Sequence, residues 1–186
     1  MLKSACVPLI PLAFALVSCT LHPVSDMTAA ARSGDVEKLR WALAKGEDVN
    51  ERSGVNNWPV LMHAVHKNQP ASVHVLLEAG ADPNTTFGKG TTALIMAAGY
   101  GYANIVEDLM AHGADASIRD REGFGPLDAA VGGLPDIDRF TVGKCQGATV
   151  KAILDRAPGV RLQGASAVRI AKLSGCSEVL RLVAAR

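Results

Sequence analysis

The sequence is poor in large rings, with two Trp, two Tyr and four Phe among 186 residues. That excludes a core built on aromatic side chains. Ala and Leu must do most of the packing, which leans helical. It also lacks an excess of either charge: Lys+Arg number 19 against Asp+Glu 18, a formal net charge of +1. A nucleic-acid binder needs a basic surface to engage phosphate, so that class is excluded. There is no apolar run long enough to rest across a bilayer as a helix. Hydrophobic residues make up 48% and charged residues 20%, a globular balance that excludes a disordered tail. The length favours one domain, two at most.

What is present begins with an address. Residues 1–19 read MLKSACVPLIPLAFALVSC, in which Lys3 precedes an apolar run over Val7–Val17 of secretory length. Pro8 and Pro11 would weaken a transmembrane helix there. The ending Leu16-Val17-Ser18-Cys19 resembles the lipobox of bacterial lipoproteins. That resemblance implies a signal peptide over 1–18, acylation of Cys19 and a short tether over 19–25. Thr20 after the Cys, in place of Asp, implies the outer membrane, with a periplasmic domain held only by its lipid. The alternative is an ordinary cleaved signal in which Cys19 is incidental.

The remainder repeats itself. Ala30-Ala31-Arg32-Ser33-Gly34 matches Ala64-Val65-His66-Lys67-Asn68 and Ala97-Ala98-Gly99-Tyr100-Gly101, at spacings of 34 and 33, and Ala130-Val131 lies 33 residues further on. A second marker keeps that beat: Gly46-Glu47-Asp48-Val49-Asn50, Gly80-Ala81-Asp82-Pro83-Asn84 and Gly113-Ala114-Asp115-Ala116-Ser117. The markers resemble the ankyrin repeat, whose period is about 33 residues. Its T-P-L-H-x-A signature stands here as Thr92-Ala93-Leu94-Ile95-Met96-Ala97 and Gly125-Pro126-Leu127-Asp128-Ala129-Ala130, and more weakly as Pro59-Val60-Leu61-Met62-His63-Ala64.

The fold expected is an all-α repeat solenoid of about five helix-turn-helix units with short β-hairpin fingers. Its units are expected near 26–55, 56–88, 89–121, 122–160 and 161–186. Val36/Leu39/Leu43, Val73/Leu76/Leu77 and Ile105/Leu109 place an apolar face on each second helix. One unit cannot bury that face alone, whereas stacked neighbours can. Ala130 and Ala157 are 27 residues apart where Ala97 and Gly113 are 16 apart, so about 11 residues are inserted near 132–143. The last helix pair should pack through Val168, Ile170, Leu173, Val179, Leu182 and Val183.

The chemistry-bearing patterns are weak. His63 and His66 stand three apart on one helix, but no Cys or carboxylate completes a zinc set at the usual spacing. Gly88-Lys89-Gly90-Thr91 fails the G-x-x-x-x-G-K-[ST] phosphate loop. Neither G-x-S-x-G nor H-E-x-x-H occurs. No enzyme activity, cofactor or metal is expected. The resemblance implies a binding surface on finger tips and exposed first-helix positions. The matching residues are Asn56, Trp58, Lys89, Thr91, Arg121, Glu122 and Phe124 on the fingers, with His66, Lys67 and Tyr100 on the helices. Exposed aromatics beside Arg and Lys have hot-spot composition. Trp58 and Phe124 could instead fill the neighbouring repeat, while Trp41 and Tyr102 read as packing.

The partner expected is a protein, bound by a monomeric array. A lipid-anchored periplasmic array without chemistry resembles immunity proteins that neutralise antibacterial effectors. One alternative is a support factor for a periplasmic enzyme such as an oxidative-stress catalase. Another is an enzyme with its site in 132–146. Repeat register puts Cys145 and Cys176 in equivalent inter-helix turns of the fourth and fifth units. They are the expected disulfide, with two free thiols as the alternative. Mass spectrometry of the membrane fraction should find lipid on Cys19, and an unmodified mature N-terminus at any other residue would overturn the lipoprotein reading.

Overall fold

The structure is a computed structural model that describes residues 24–54, 56–133, 142, 144–163 and 165–184. The expected signal segment, Cys19 and most of the expected insertion at 132–143 lie outside the described residues. Among the described residues, ten helices fall in consecutive pairs. These are α1 (Asp26–Ser33) with α2 (Val36–Ala44), α3 (Val60–His66) with α4 (Pro70–Glu78), and α5 (Ala93–Tyr100) with α6 (Ala103–Ala111). α7 (Pro126–Gly132) with α8 (Gly147–Arg156) and α9 (Ala165–Leu173) with α10 (Ser177–Ala184) complete the array. First helices pack on first helices, α1 on α3, α5, α7 and α9 in turn. Second helices do the same from α2 to α10, giving two layers.

The first layer is tight because its contacts are small. Ala31, Ala64, Ala97, Ala98, Ala130, Ala167 and Ala171 are fully or almost fully buried, and helix backbones approach over them. The second layer supplies bulk, with Leu39, Leu76, Ile105, Leu109 and Ile153 fully buried. Each repeat thus buries its apolar face on its neighbours, as one-dimensional stacking requires.

Helix starts show how local chemistry follows sequence. Thr92 accepts a hydrogen bond from the Ile95 amide through Oγ1 (3.2 Å), an N-cap for α5. In the fourth repeat Gly125 has no hydroxyl to offer. There Asp128 accepts from the Gly125 amide (3.1 Å), from Arg119 Nη1 (2.5 Å) and, through its other oxygen, from the Gln163 amide (3.0 Å). Asp128 is fully buried, so its charge is tolerable because donors surround it, the Arg119 guanidinium among them.

The fingers join the layers. β1 (Arg52–Ser53) pairs antiparallel with β2 (Trp58–Pro59), and β3 (Thr86–Phe87) with β4 (Thr91–Thr92). The glycines of the second marker have a geometric cause. Gly80 and Gly113 follow second helices with φ of +90° and +87°, a region where a Cβ is strained. The Asp of that marker accepts from the amide two residues on, as Asp48 does from Asn50 (2.9 Å) and Asp82 from Asn84 (2.9 Å). The Asn then reaches the next repeat. Asn50 Oδ1 accepts from the Asp82 amide (2.9 Å), and Asn84 Oδ1 from the Asp115 amide (2.8 Å).

The array ends differ from the sequence expectation. Leu173, expected to pack, is 78% exposed, because no repeat among the described residues covers the outer face of α9. α9 and α10 bury little, Ala167, Ala171 and Val179 being their deeply buried members. A disulfide joins Cys145 to Cys176, with Cα atoms 5.2 Å apart. It anchors the lightly packed last pair to α8. The loop it closes spans 31 residues. Removing the link in a Cys145→Ser, Cys176→Ser variant should lower unfolding stability by about 3–4 kcal/mol. Denaturant melts would test this, and an unchanged midpoint would refute the staple role.

Candidate functional site

Repeat register brings several rings together on the finger side of the first-helix layer. Trp58 on β2 has its indole 5.0 Å from the Phe87 ring on the next finger and 5.2 Å from the His66 imidazole at the end of α3, centroid to centroid. His66 continues to Tyr100 at 5.9 Å, and Tyr100 to Tyr102 at 5.5 Å. The chain of rings therefore crosses from the first finger to the third helix pair. Edge-to-face and tilted arrangements of this kind suit the ring quadrupoles.

Of the residues singled out from sequence, Trp58, His66 and Tyr100 meet here. Tyr100 departs from expectation: it is only 9% exposed, because Tyr102 and His66 flank it. Trp58 is half-buried and packs on the core, and its indole Nε1 is buried without a hydrogen-bond partner. Packing, and not a hydrogen bond, holds that indole. Lys67 and Thr91 are half-buried, while Asn56 is exposed. Phe124 is half-buried on the third finger, where its amide donates to Asp120 Oδ1 (2.8 Å).

The other finger residues tie neighbouring tips together. Arg52 Nη2 donates to the Thr86 carbonyl (3.2 Å), linking the first finger to the second. The Arg121 amide donates to the Lys89 carbonyl (2.8 Å), and Lys89 pairs with Glu122. Lys89, Arg121 and Glu122 thus lie at one place, still largely exposed. Sequence reading missed Phe87, weighed His63 only as a metal ligand, and took Tyr102 for packing alone. The Tyr pair at 100 and 102 was the available signal, since two rings flanking one helix end fall on the same side of the turn.

Trp41 was read as packing and is 60% exposed on α2, with Lys45 Nζ 3.6 Å above its ring. It lines a shallow groove with Ala29, Ser33 and Ala42. The reason is positional, because no repeat among the described residues precedes α1 and α2.

His63 and His66 do not act as a ligand pair in this geometry. His63 is 6% exposed, and its Nε2 lies 3.1 Å from the Ser53 carbonyl, to which it donates. Burial holds its pKa below the usual histidine value, and the positive charges of Arg32 and Lys67 push the same way.

A two-layer helical stack with bridging fingers defines a repeat protein of the interaction type. Residues 61–140 match the family described as ankyrin repeats (3 copies), and residues 27–77 match ankyrin repeats (many copies). The two matches together run over more than half of the chain, and the chain belongs to the ankyrin-repeat family. An ankyrin repeat-containing protein of Treponema pallidum is 33% identical over 98 residues, 53% of this chain and 33% of that one. The NF-kappa-B inhibitor delta of Mus musculus is 36% identical over 104 residues, 50% of this chain and 31% of that protein. The human NAD-capped RNA hydrolase NUDT12 is 32% identical over 82 residues, 44% of this chain but 18% of the hydrolase. The aligned part is thus a third or less of the length of these curated relatives. Ankyrin-repeat proteins are generally non-enzymatic modules that bind other proteins.

The His63 geometry has a pH consequence. Its folded-state pKa is depressed, so the unfolded chain takes up the proton first. Its contribution to stability is complete above the unfolded pKa of about 6.5 and is lost as pH falls through the folded value. Thermal melts should drop from pH 7.5 to pH 5.5 (about one unit either side of that pKa), and His63→Gln should flatten the drop. An equally steep drop in the variant would show that other groups carry it.

Proposed function

We propose that this chain is a lipid-anchored periplasmic ankyrin-repeat module that binds and neutralises an antibacterial effector enzyme. The observation that carries the binding reading is the ring chain Trp58–His66–Tyr100 beside the tied tips of Lys89, Arg121 and Glu122. It sets apolar and charged groups side by side on a surface whose parts are already fixed, so little entropy is lost on docking.

The address supports the rest. The Leu16-Val17-Ser18-Cys19 ending implies export and acylation of Cys19, with the folded repeats facing the periplasm. A disulfide between Cys145 and Cys176 suits that oxidising compartment, whereas cytosolic thiols are kept reduced. One relative is by name an inhibitor, and the same kind of array acting by occlusion is the mechanism proposed here. The rings and finger tips would seat against the rim of the effector's active site and exclude its substrate.

The test takes the enzyme encoded beside this chain's gene. The purified chain should bind it and abolish its activity at equal concentration. An Asn56→Asp, Arg121→Glu double variant, both at exposed positions, should bind at least tenfold more weakly, about 1.4 kcal/mol, with an unchanged melting curve. Trp58→Ala should weaken binding and also lower the melting point, since the indole packs on Phe87. Activity raised by the chain would favour the support-factor reading instead. An adjacent enzyme that neither binds nor is inhibited would overturn the proposal.

A further inference from the structure

We propose that His74, Asp108 and His112 form a binding site for a divalent transition-metal ion, bridging the second and third repeats in the second-helix layer. His74 stands on α4, and Asp108 belongs to α6 with His112 directly after it. Each side chain offers one ligand atom, and these atoms all lie within 4.8 Å of one another.

The distances suit an ion. Zinc bonds of about 2.0–2.1 Å in tetrahedral arrangement set neighbouring ligand atoms about 3.4 Å apart. His74 Nδ1 is 3.2 Å from Asp108 Oδ1, and His112 Nδ1 is also 3.2 Å from that oxygen. The two imidazoles stand edge to face at 79°, with centroids 5.8 Å apart. His112 Nδ1 also donates to the Asp108 backbone carbonyl (2.9 Å), so its ring must turn away from that bond before it can ligate, while His74 and Asp108 need only small side-chain rotations. Asp108 on α6 and His112 at its C-cap are four residues apart, the spacing that places two side chains on one side of a helix end.

A second observation concerns the outer nitrogen of His74. Its Nε2 lies 3.4 Å from Glu78 Oε1, one turn along α4. A carboxylate on the far nitrogen orients an imidazole and raises its basicity as a ligand, the arrangement found around bound metals. The ring then presents Nδ1 toward Asp108, where the ion would sit. Arg40 adds an opposing positive charge, which the two carboxylates outweigh.

The site is open to solvent, the His74 side chain being 51% exposed. Three protein ligands leave a coordination position for water. Two imidazoles and one carboxylate favour zinc, copper or nickel over magnesium or calcium. The consequence is a clamp between α4 and α6, in the layer that the proposed partner does not use.

The experiment uses the untagged full chain, stripped with a chelator and titrated with zinc chloride at neutral pH against a chromophoric competitor. Expected is one zinc per chain at this site, a rise in melting temperature, and no effect of magnesium or calcium. His74→Gln and Asp108→Asn should each weaken zinc binding at least about tenfold, and Glu78→Gln by about tenfold. These substituted groups lie at the surface, so circular dichroism should show unchanged folds. Failure of the wild type to take up zinc would reduce the cluster to a surface ion pair. Equal uptake by His74→Gln would assign the zinc elsewhere. Either result overturns the proposal and leaves the protein-binding reading untouched.

Discussion

Everything in this molecule depends on one constraint: no repeat can bury its own apolar face. A helix pair of about twenty residues exposes one side of each helix, and only the next pair covers it. The first helices meet through alanines because backbone must approach backbone in that layer. Ala64, Ala97 and Ala130 are fully buried against the neighbouring first helices. A larger side chain at those positions would force the layers apart, and overpacking commonly costs about 1–3 kcal/mol. The low aromatic content follows from the same constraint. Rings cannot enter that seam, so they are displaced to its edge, where Trp58, His66, Tyr100 and Tyr102 line up.

A stack also has two ends, and each is handled differently. At the start, Trp41 remains 60% exposed, partly shielded by the Lys45 ammonium over its ring. Snorkelling of this kind hides apolar surface beneath a solvated charge. At the finish, the last pair buries few side chains and a covalent link holds it. Between the ends, polar ladders enforce register. Asn50 and Asn84 bond forward to the following repeat, but the third marker ends in Ser117, which has no carboxamide to reach forward and whose amide donates to Asp115 (2.7 Å). The ladder stops there, and the Arg119–Asp128 pair takes over, with Arg119 also donating to the Arg161 carbonyl (2.9 Å). The pattern breaks where the sequence departs from its beat.

The repeat architecture was legible in the sequence because its two markers report backbone requirements. Small residues mark the close seam, and Gly80 and Gly113 mark positive φ. Exposure was less legible. Periodicity tells which face of a helix points at its neighbour, but not how far a neighbour's side chain reaches over the edge. Tyr100 matched a binding position by register and is covered by His66 and Tyr102. Leu173 sat on an apolar face that no other described repeat covers. The His74–Asp108–His112 cluster escaped because ligand searches look along one segment. His74 and Asp108 are 34 residues apart, about one repeat, so a fixed sequence distance becomes spatial contact only once the stack is known.

The stack separates its labour by layer. The first-helix side carries rings and tied finger tips, where the Arg52–Thr86 and Arg121–Lys89 bonds fix adjacent fingers relative to one another. A surface built this way gains little by adapting to its partner and loses little by binding it. The half-buried rings add to this, since Trp58 and Tyr100 already surrender much of their apolar area to the fold. Area already removed from water cannot be removed again, so the rings contribute mainly shape. In the proposed complex the energy would then come from the exposed rim, from groups such as Asn56, Arg121 and the Lys89–Glu122 pair. Surface ion pairs are worth little on their own, about 0–1 kcal/mol, until a partner excludes water from them. A binding surface of fixed shape with a charged rim therefore selects its partner by fit and charge pattern, and a mismatched partner meets groups that cannot move to accommodate it.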